Sequence, residues 1–137
     1  MKALGRFEVP DDLLYSKEHD WLKQVPEGFM VGITDFAQSE LGDIAFVDVP
    51  DEGSTFKQGD VVLQLESVKA VTDVFVPLSG EIVKTNDAVE DEPQVVNESP
   101  YDKGWLFIIS ADDYPSEKAG LMNATAYVKF IEQNKKD

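Results

Sequence analysis

The sequence predicts a mostly β fold in which two pseudo-twofold half-sheets close on each other as a flattened barrel or sandwich, with a short helix in the N-terminal half and helices at the C-terminal end. Three observations carry that expectation. First, a 16-residue segment occurs twice, as Val47-Asp48-Val49-Pro50-Asp51-Glu52-Gly53-Ser54-Thr55-Phe56-Lys57-Gln58-Gly59-Asp60-Val61-Val62 and, 27 residues later, as Val74-Phe75-Val76-Pro77-Leu78-Ser79-Gly80-Glu81-Ile82-Val83-Lys84-Thr85-Asn86-Asp87-Ala88-Val89, with seven positions identical. Two copies are too few for a solenoid, so they are expected to pair as half-sheets. Second, Val61, Leu63 and Leu65 alternate with Val62, Gln64 and Glu66, the period of a half-buried strand. Third, Trp105-Leu106-Phe107-Ile108-Ile109 is an unbroken apolar run between Gly104 and Ser110, as in a strand buried on both faces.

The elements follow in order. Tyr15 to Val25, with Trp21 and Leu22 among charges, and Phe29-Met30-Val31-Gly32-Ile33 form an opening strand pair. Thr34 caps a short helix over Asp35 to Leu41, with Phe36, Ala37 and Leu41 inward and Gly42 as its stop. From Ile44 to Ile109 the pattern is β throughout, with Val74 and Val76 resuming the alternation in the second copy. Between the copies stands Glu66-Ser67-Val68-Lys69-Ala70, which the pairing makes a hairpin tip. Gly53 and Gly80 recur as tight corners, and Gly59 corresponds to Asn86, two residue types that take positive φ most readily. Beyond the last strand, Pro115 favours a first helical turn and Asn123 caps a second helix, in which Tyr127, Phe130 and Ile131 recur at helical spacing. Lys135 and Lys136 suit the end of that helix.

At 137 residues the chain is read as one domain, 1–137, with a β core over about 15–110 and a helical tail over about 112–136. The formal charge of −15 argues against nucleic acid or an anionic membrane as partner, since both are bound through Lys and Arg, and favours a soluble monomer meeting basic surfaces. With no cysteine and one histidine, the chain has no thiol nucleophile, no disulfide and no Cys/His metal site, so no metal is expected. Met1 to Pro10 lacks the apolar core of a secretory signal, which favours the cytoplasm. Redox chemistry, if any, has to arrive on something attached.

An unbranched amine held at a hairpin tip between two rigid half-sheets suits an enzyme that forms an amide with a carboxylic acid cofactor, which makes Lys69 the candidate attachment point. Glu66 and Ser67 are candidates for recognition by that enzyme, although Glu66 equally keeps the hairpin edge soluble. His19, alone and without clustered ligands, reads as a packed or hydrogen-bonded side chain, and Trp21 and Trp105 read as core.

Glu66-Ser67-Val68-Lys69-Ala70, followed by Asp73, Pro77, Gly80 and Glu81, resembles the lipoyl-attachment motif of the H protein of the glycine cleavage system. Lys17-Glu18-His19-Asp20-Trp21, Gly32-Ile33-Thr34-Asp35-Phe36-Ala37-Gln38, Leu41-Gly42-Asp43, Val96-Asn97, Pro100-Tyr101 and Gly104-Trp105 match the same family in order, over about Tyr15 to Ile109. The resemblance implies a lipoyl/biotinyl-type hammerhead and lipoate in amide linkage on Lys69. It also implies a non-catalytic carrier that takes an aminomethyl group from a pyridoxal phosphate glycine decarboxylase to a tetrahydrofolate-dependent aminomethyltransferase, with reoxidation by an FAD-containing dihydrolipoamide dehydrogenase. A lipoate attachment enzyme completes the implied partners. By motif correspondence Glu18, Asp20 and Asp73 line the cleft that shelters the arm, with Asp20 standing where Glu is usual. Biotin carriers hold their lysine between two methionines, where this chain has Val68 and Ala70. The alternative role is that of a lipoyl donor, or relay, outside a complete glycine cleavage system.

Overall fold

The repeated segments become two crossovers between facing antiparallel sheets in the computed structural model, which describes residues 2–4 and 7–134. A six-stranded sheet is ordered β3 (Leu14–Tyr15), β4 (Asp20–Val25), β5 (Gly28–Ile33), β11 (Phe107–Ala111), β10 (Gly80–Thr85) and β7 (Thr55–Phe56). A three-stranded sheet is ordered β6 (Ile44–Asp48), β8 (Val61–Ser67) and β9 (Val71–Phe75). Neither sheet closes on itself, so the arrangement is a sandwich rather than a barrel. Its core is filled from both inner faces, by Leu22, Val31, Ile82 and Ile109 on one side and Val47, Leu65 and Val74 on the other.

Each copy starts in the small sheet and crosses to the large one: Val47 and Val74 are buried near the ends of β6 and β9, and the chain then crosses to β7 in the first copy and β10 in the second. The copies bond to each other there. Gly53 N–H donates to the Ile82 carbonyl at 2.8 Å and Ile82 N–H to that of Ser54 at 2.8 Å, while Gly59 N–H donates to the Val76 carbonyl at 2.9 Å and Val76 N–H to that of Asp60 at 2.8 Å.

The opening strand pair forms as expected, with Trp21 opposite Gly32 and Leu22 opposite Val31. Helix α1 runs Asp35–Leu41, Thr34 Oγ1 accepts from Ala37 N–H at 3.2 Å, and Gly42 ends it at φ 79°. Phe36, Ala37 and Leu41 are its half-buried packing residues. In the tail, α4 (Tyr114–Glu117) has Pro115 in its first turn, and α5 (Ala124–Asn134) is capped by Asn123, whose Oδ1 accepts from Ala126 N–H at 2.8 Å. Tyr127 and Ile131 of α5 are buried with Tyr15 and Trp21 in a second apolar cluster, against which Phe130 packs. Lys135 and Lys136 lie outside the described residues.

Five expectations need correction. The chain from Ile44 to Ile109 is not β throughout: α2 (Asp87–Asp91) and α3 (Val95–Glu98) interrupt it. Asn86 is the cause, because its side chain accepts from Ala88 N–H at 3.1 Å and starts a helix at φ −98°, whereas Gly59 turns at φ 93°. In β8 a bulge between Val61 and Leu63 moves one residue out of register, so Val61 is 44% exposed and Val62 only 6%, the reverse of strict alternation. Gly53 is a positive-φ corner, but Gly80 lies in β10 against the Ser110 backbone, where the constraint is closeness and not φ. The last strand is displaced to Phe107–Ala111, Trp105 and Leu106 leading into it. A short hairpin of β1 (Lys2–Leu4) and β2 (Phe7–Val9) precedes the expected strands.

Candidate functional site

The segment joining the copies is the hairpin between β8 and β9, and Lys69 stands exposed at its tip. Ser67 builds the turn. Its N–H donates to the Ala70 carbonyl at 2.8 Å, and its Oγ accepts from the N–H groups of Lys69 at 3.2 Å and Ala70 at 3.1 Å. The hydroxyl is thus occupied within the turn, and Ser67 is 8% exposed, while Glu66 faces solvent. The tip is fastened to the end of α1 by Val68 N–H donating to the Asp43 carbonyl at 3.0 Å.

The lysine lies along Gly42. A Cβ added at Gly42 would stand 3.4 Å from Lys69 Cε and 3.8 Å from its Cδ, so the aliphatic stem passes over the bare glycine backbone. Asn97 holds this junction from beneath: its Oδ1 accepts from Ile44 N–H at 2.9 Å, and its Nδ2 donates to the carbonyl of Gly42 at 2.8 Å and to Gln38 Oε1 at 2.9 Å.

Immediately beyond Gly42, Leu41 forms the wall of a cleft of about 260 Å³ between α1, β4, β5 and the β8–β9 hairpin. Ile33, Phe36, Ala37, Leu65 and Val74 make it apolar, and four acids, Glu18, Asp20, Glu40 and Asp73, are set into that lining. Glu18 and Asp20, far from Asp73 along the chain, therefore line the same cleft as it. Glu40 was missed there; its signal is the helical spacing from Phe36, four residues earlier on the face of α1 that meets the cleft.

The acids differ in setting. Asp73, on β9, is exposed and accepts a hydrogen bond from Gln64 Nε2 at 2.8 Å. Asp20, on β4, is 2% exposed; burial pushes its carboxyl well above the usual carboxylate range, nearby Glu18 adds to the rise, and a hydrogen bond from Ser16 Oγ at 3.2 Å opposes it. Glu18 and Asp20 also line a second, smaller cleft of about 140 Å³ with Phe75, Pro77 and Leu121.

His19 lies between the two acids in sequence at φ 69°, a left-handed turn that sends Glu18 and Asp20 to the cleft. It is fixed by a 2.9 Å hydrogen bond between its Nδ1 and the Tyr127 hydroxyl, which also bonds Thr34 Oγ1 at 2.7 Å. Burial holds its imidazole below the ordinary histidine value, with Glu18 opposing. The C-terminal helix is thereby tied both to the acid-bearing turn and to the cap of α1. Trp21 is fully buried with Nε1 donating to the Pro100 carbonyl at 2.8 Å, and Trp105 packs half-buried on the same cluster. Among the described residues, no group of three or more His, Asp and Glu side chains is arranged to hold a metal ion, and no helix is long and apolar enough to cross a membrane.

A family model described as glycine cleavage H-protein matches residues 13–134. The glycine cleavage system H protein of Cronobacter sakazakii is 50% identical over 125 residues, covering 90% of this chain and 96% of its own. That of Oceanobacillus iheyensis is 48% identical over 124 residues, covering 90% and 98%. The crystal structure of a glycine cleavage system H protein from Mycobacterium marinum matches the fold with a TM-score of 0.80 at 33% identity, over 92% of this chain and 98% of that one. With the family model spanning residues 13–134 and these relatives matching about nine-tenths of it, the chain belongs to the glycine cleavage H-protein family.

Proposed function

We propose that the chain is the shuttle of glycine cleavage, a single carrier domain that bears lipoate on Lys69 and passes the aminomethyl unit of glycine from the pyridoxal phosphate decarboxylase to the tetrahydrofolate-dependent aminomethyltransferase. Dihydrolipoamide dehydrogenase, through FAD, resets it for the next turn. The group would supply, when bound, a dithiolane whose S–S bond takes up two electrons as it opens, freeing a sulfur for the one-carbon unit. Catalysis belongs to the partner enzymes; this chain holds, orients and shields.

The reading rests on one juxtaposition: an exposed amine at a hairpin tip, its stem lying over Gly42, the residue that follows Leu41 of the lining of an apolar cleft set with acids. The residues present fit a lipoyl group. The tip offers the amine for amide formation, and Ile33, Phe36, Leu41, Leu65 and Val74 offer an apolar bed that excludes water from a labile amine. Asp73 borders the cleft on β9, and its carboxylate, bonded to Gln64 on the outward face of the sheet, would turn toward the rim to pair with an ammonium group. Asp20 supplies the deeper carboxyl. Its burial favours the neutral form, and a cation brought beside it draws it toward the ionised one. Glu18 adds negative potential at the same wall.

Intact mass of protein incubated with lipoate, ATP and an attachment enzyme tests the assignment. One lipoyl increment is expected on the wild type and none on Lys69→Arg; an increment that persists in the variant would move the site elsewhere. For Asp73, ammonia should be released faster from loaded, isolated Asp73→Ala protein than from wild type, and an unchanged rate would remove Asp73 from the role.

A further inference from the structure

Helix α1 forms one wall of the cleft, through Phe36, Ala37, Glu40 and Leu41, yet it is seven residues long and none of its own residues is fully buried. That is far below the roughly 12–15 residues at which a helix persists unaided, so its position is set by what is fastened to it. Its C-terminal end is held by Asn97 through Gln38 and Gly42. Its first turn is held by β2, a strand that precedes the residues of the family match. Glu8 N–H donates to Asp35 Oδ2 at 2.9 Å, and the Tyr101 hydroxyl closes a ring of bonds by donating to the Glu8 carbonyl at 2.6 Å and accepting from Asp35 N–H at 3.0 Å. The strand is itself anchored: Val9 is fully buried with Tyr15, Trp21 and Tyr127, and the Tyr15 hydroxyl donates to the Pro10 carbonyl at 2.6 Å.

Beside that ring of bonds, Phe7, the residue before Glu8, meets Phe36, the residue after Asp35, with centroids 5.3 Å apart and planes at 87°. His19 meets the same Phe36 ring at 5.2 Å. Phe36 and His19 line the cleft, and Phe7 is not part of the lining. We propose that β2 is a brace for the arm cleft and that Phe7 is a positioning residue: by holding Phe36 it keeps the apolar wall closed over a bound aminomethyl group and slows its loss to water. The inference rests on the lipoyl reading of Lys69. An edge-to-face pair is directional, so Phe7 fixes the tilt of the Phe36 ring as well as filling space against it. Without the Phe7 ring, Phe36 keeps only the His19 contact among these ring pairs, and the first turn of α1 is tied to β2 by hydrogen bonds alone. Exclusion of water is what an apolar wall offers a labile amine.

Amide hydrogen exchange across α1 in the bare protein, taken relative to β11, reads the brace without any lipoyl group. Phe7→Ala is expected to quicken it about tenfold, the loss of one good aromatic contact. Phe7→Tyr keeps the ring and should stay within about twofold of wild type. Leu78→Ala, a truncation of a fully buried residue in the second crossover, should weaken resistance to urea and leave the ratio as in wild type. In protein lipoylated on Lys69, loaded by the decarboxylase and then isolated, ammonia release should quicken about threefold or more in Phe7→Ala and in neither of the other two. Should Phe7→Ala fail to fold, Phe7→Leu, which keeps apolar bulk and loses the ring, is expected to quicken exchange across α1 about threefold. Exchange in Phe7→Ala within about twofold of wild type would overturn the brace. Quickened exchange with ammonia release as in wild type would overturn the positioning role, by separating the brace from the shelter. No lipoyl increment on wild type would remove the lipoyl reading, and the shelter with it, while exchange across α1 would still decide the brace.

Discussion

The two copies of the repeat share seven of 16 residues and the same crossover from small sheet to large, yet they end in different structures. After β7 the first copy turns at Gly59, with φ 93° and open space around it, and returns to the small sheet as β8, the strand that leads to the exposed tip. After β10 the second copy reaches Asn86 at the corresponding position, which stays extended, caps α2 and donates through Nδ2 to the carbonyls of Lys103 at 2.8 Å and Trp105 at 2.7 Å. A reversal in one copy and a helix start in the other thus trace to a single pair of residues. The difference leads one copy on to the exposed hairpin tip and the other into α2 and α3.

Four substitutions probe that asymmetry. Gly80→Ala should do the most damage, since a Cβ there meets the Ser110 backbone inside the large sheet. A loss of about 3 kcal/mol in urea unfolding is expected, and a loss below about 1 kcal/mol would mean that the sheet yields there easily. Asn86→Ala removes a helix cap and leaves two backbone carbonyls without their donor; about 2 kcal/mol is expected by the same measurement. Gly59→Ala places a Cβ in open space but at positive φ, and should cost about 1 kcal/mol. Gly59→Asn should cost less, because Asn accepts that conformation more readily. If Gly59→Ala proves as costly as Asn86→Ala, the contrast between a conformational and a bonding role is wrong.

The smallest effect concerns a residue outside both copies. Asp20 has a folded-state carboxyl above its ordinary value of 3.8, so folding favours its protonated form. The stability it lends is present below that ordinary value and is lost as pH rises through the folded one. Asp20→Asn should therefore unfold at a higher temperature than wild type at neutral pH, with the gap closing on acidification. His19 runs the other way: its folded value is lowered from 6.5, so its contribution holds above that and fades as pH falls through the folded value. A gap for Asp20→Asn that widens on acidification would refute the assignment.

Much of this was legible in residue order. Thr34 and Gly42 bracket α1 because a cap oxygen and a positive-φ stop are chemical signals readable in isolation. The tip was legible because two copies need a joint, and Lys69 lies in it. What escaped was set by tertiary contact. Nothing local distinguishes Val61 from Val62; the bulge opposite Phe75 and Val74 does. Asn86 carries both a turn signal and a cap signal, and the carbonyls of Lys103 and Trp105 decide between them. Three-residue strands such as Lys2–Leu4 are too short to show a period. The meeting of Glu18, Asp20 and Asp73 was expected from family resemblance, but the burial that separates Asp20 from Asp73 needed the fold.

Exchange of labelled bicarbonate into the carboxyl group of glycine, with glycine decarboxylase and lipoylated protein, tests the carrier claim most directly. The account predicts exchange with wild type and none with Lys69→Arg. Fully lipoylated wild type that supports no exchange with an active decarboxylase would contradict it, and would leave the chain a donor of lipoyl groups instead of a shuttle for glycine carbon.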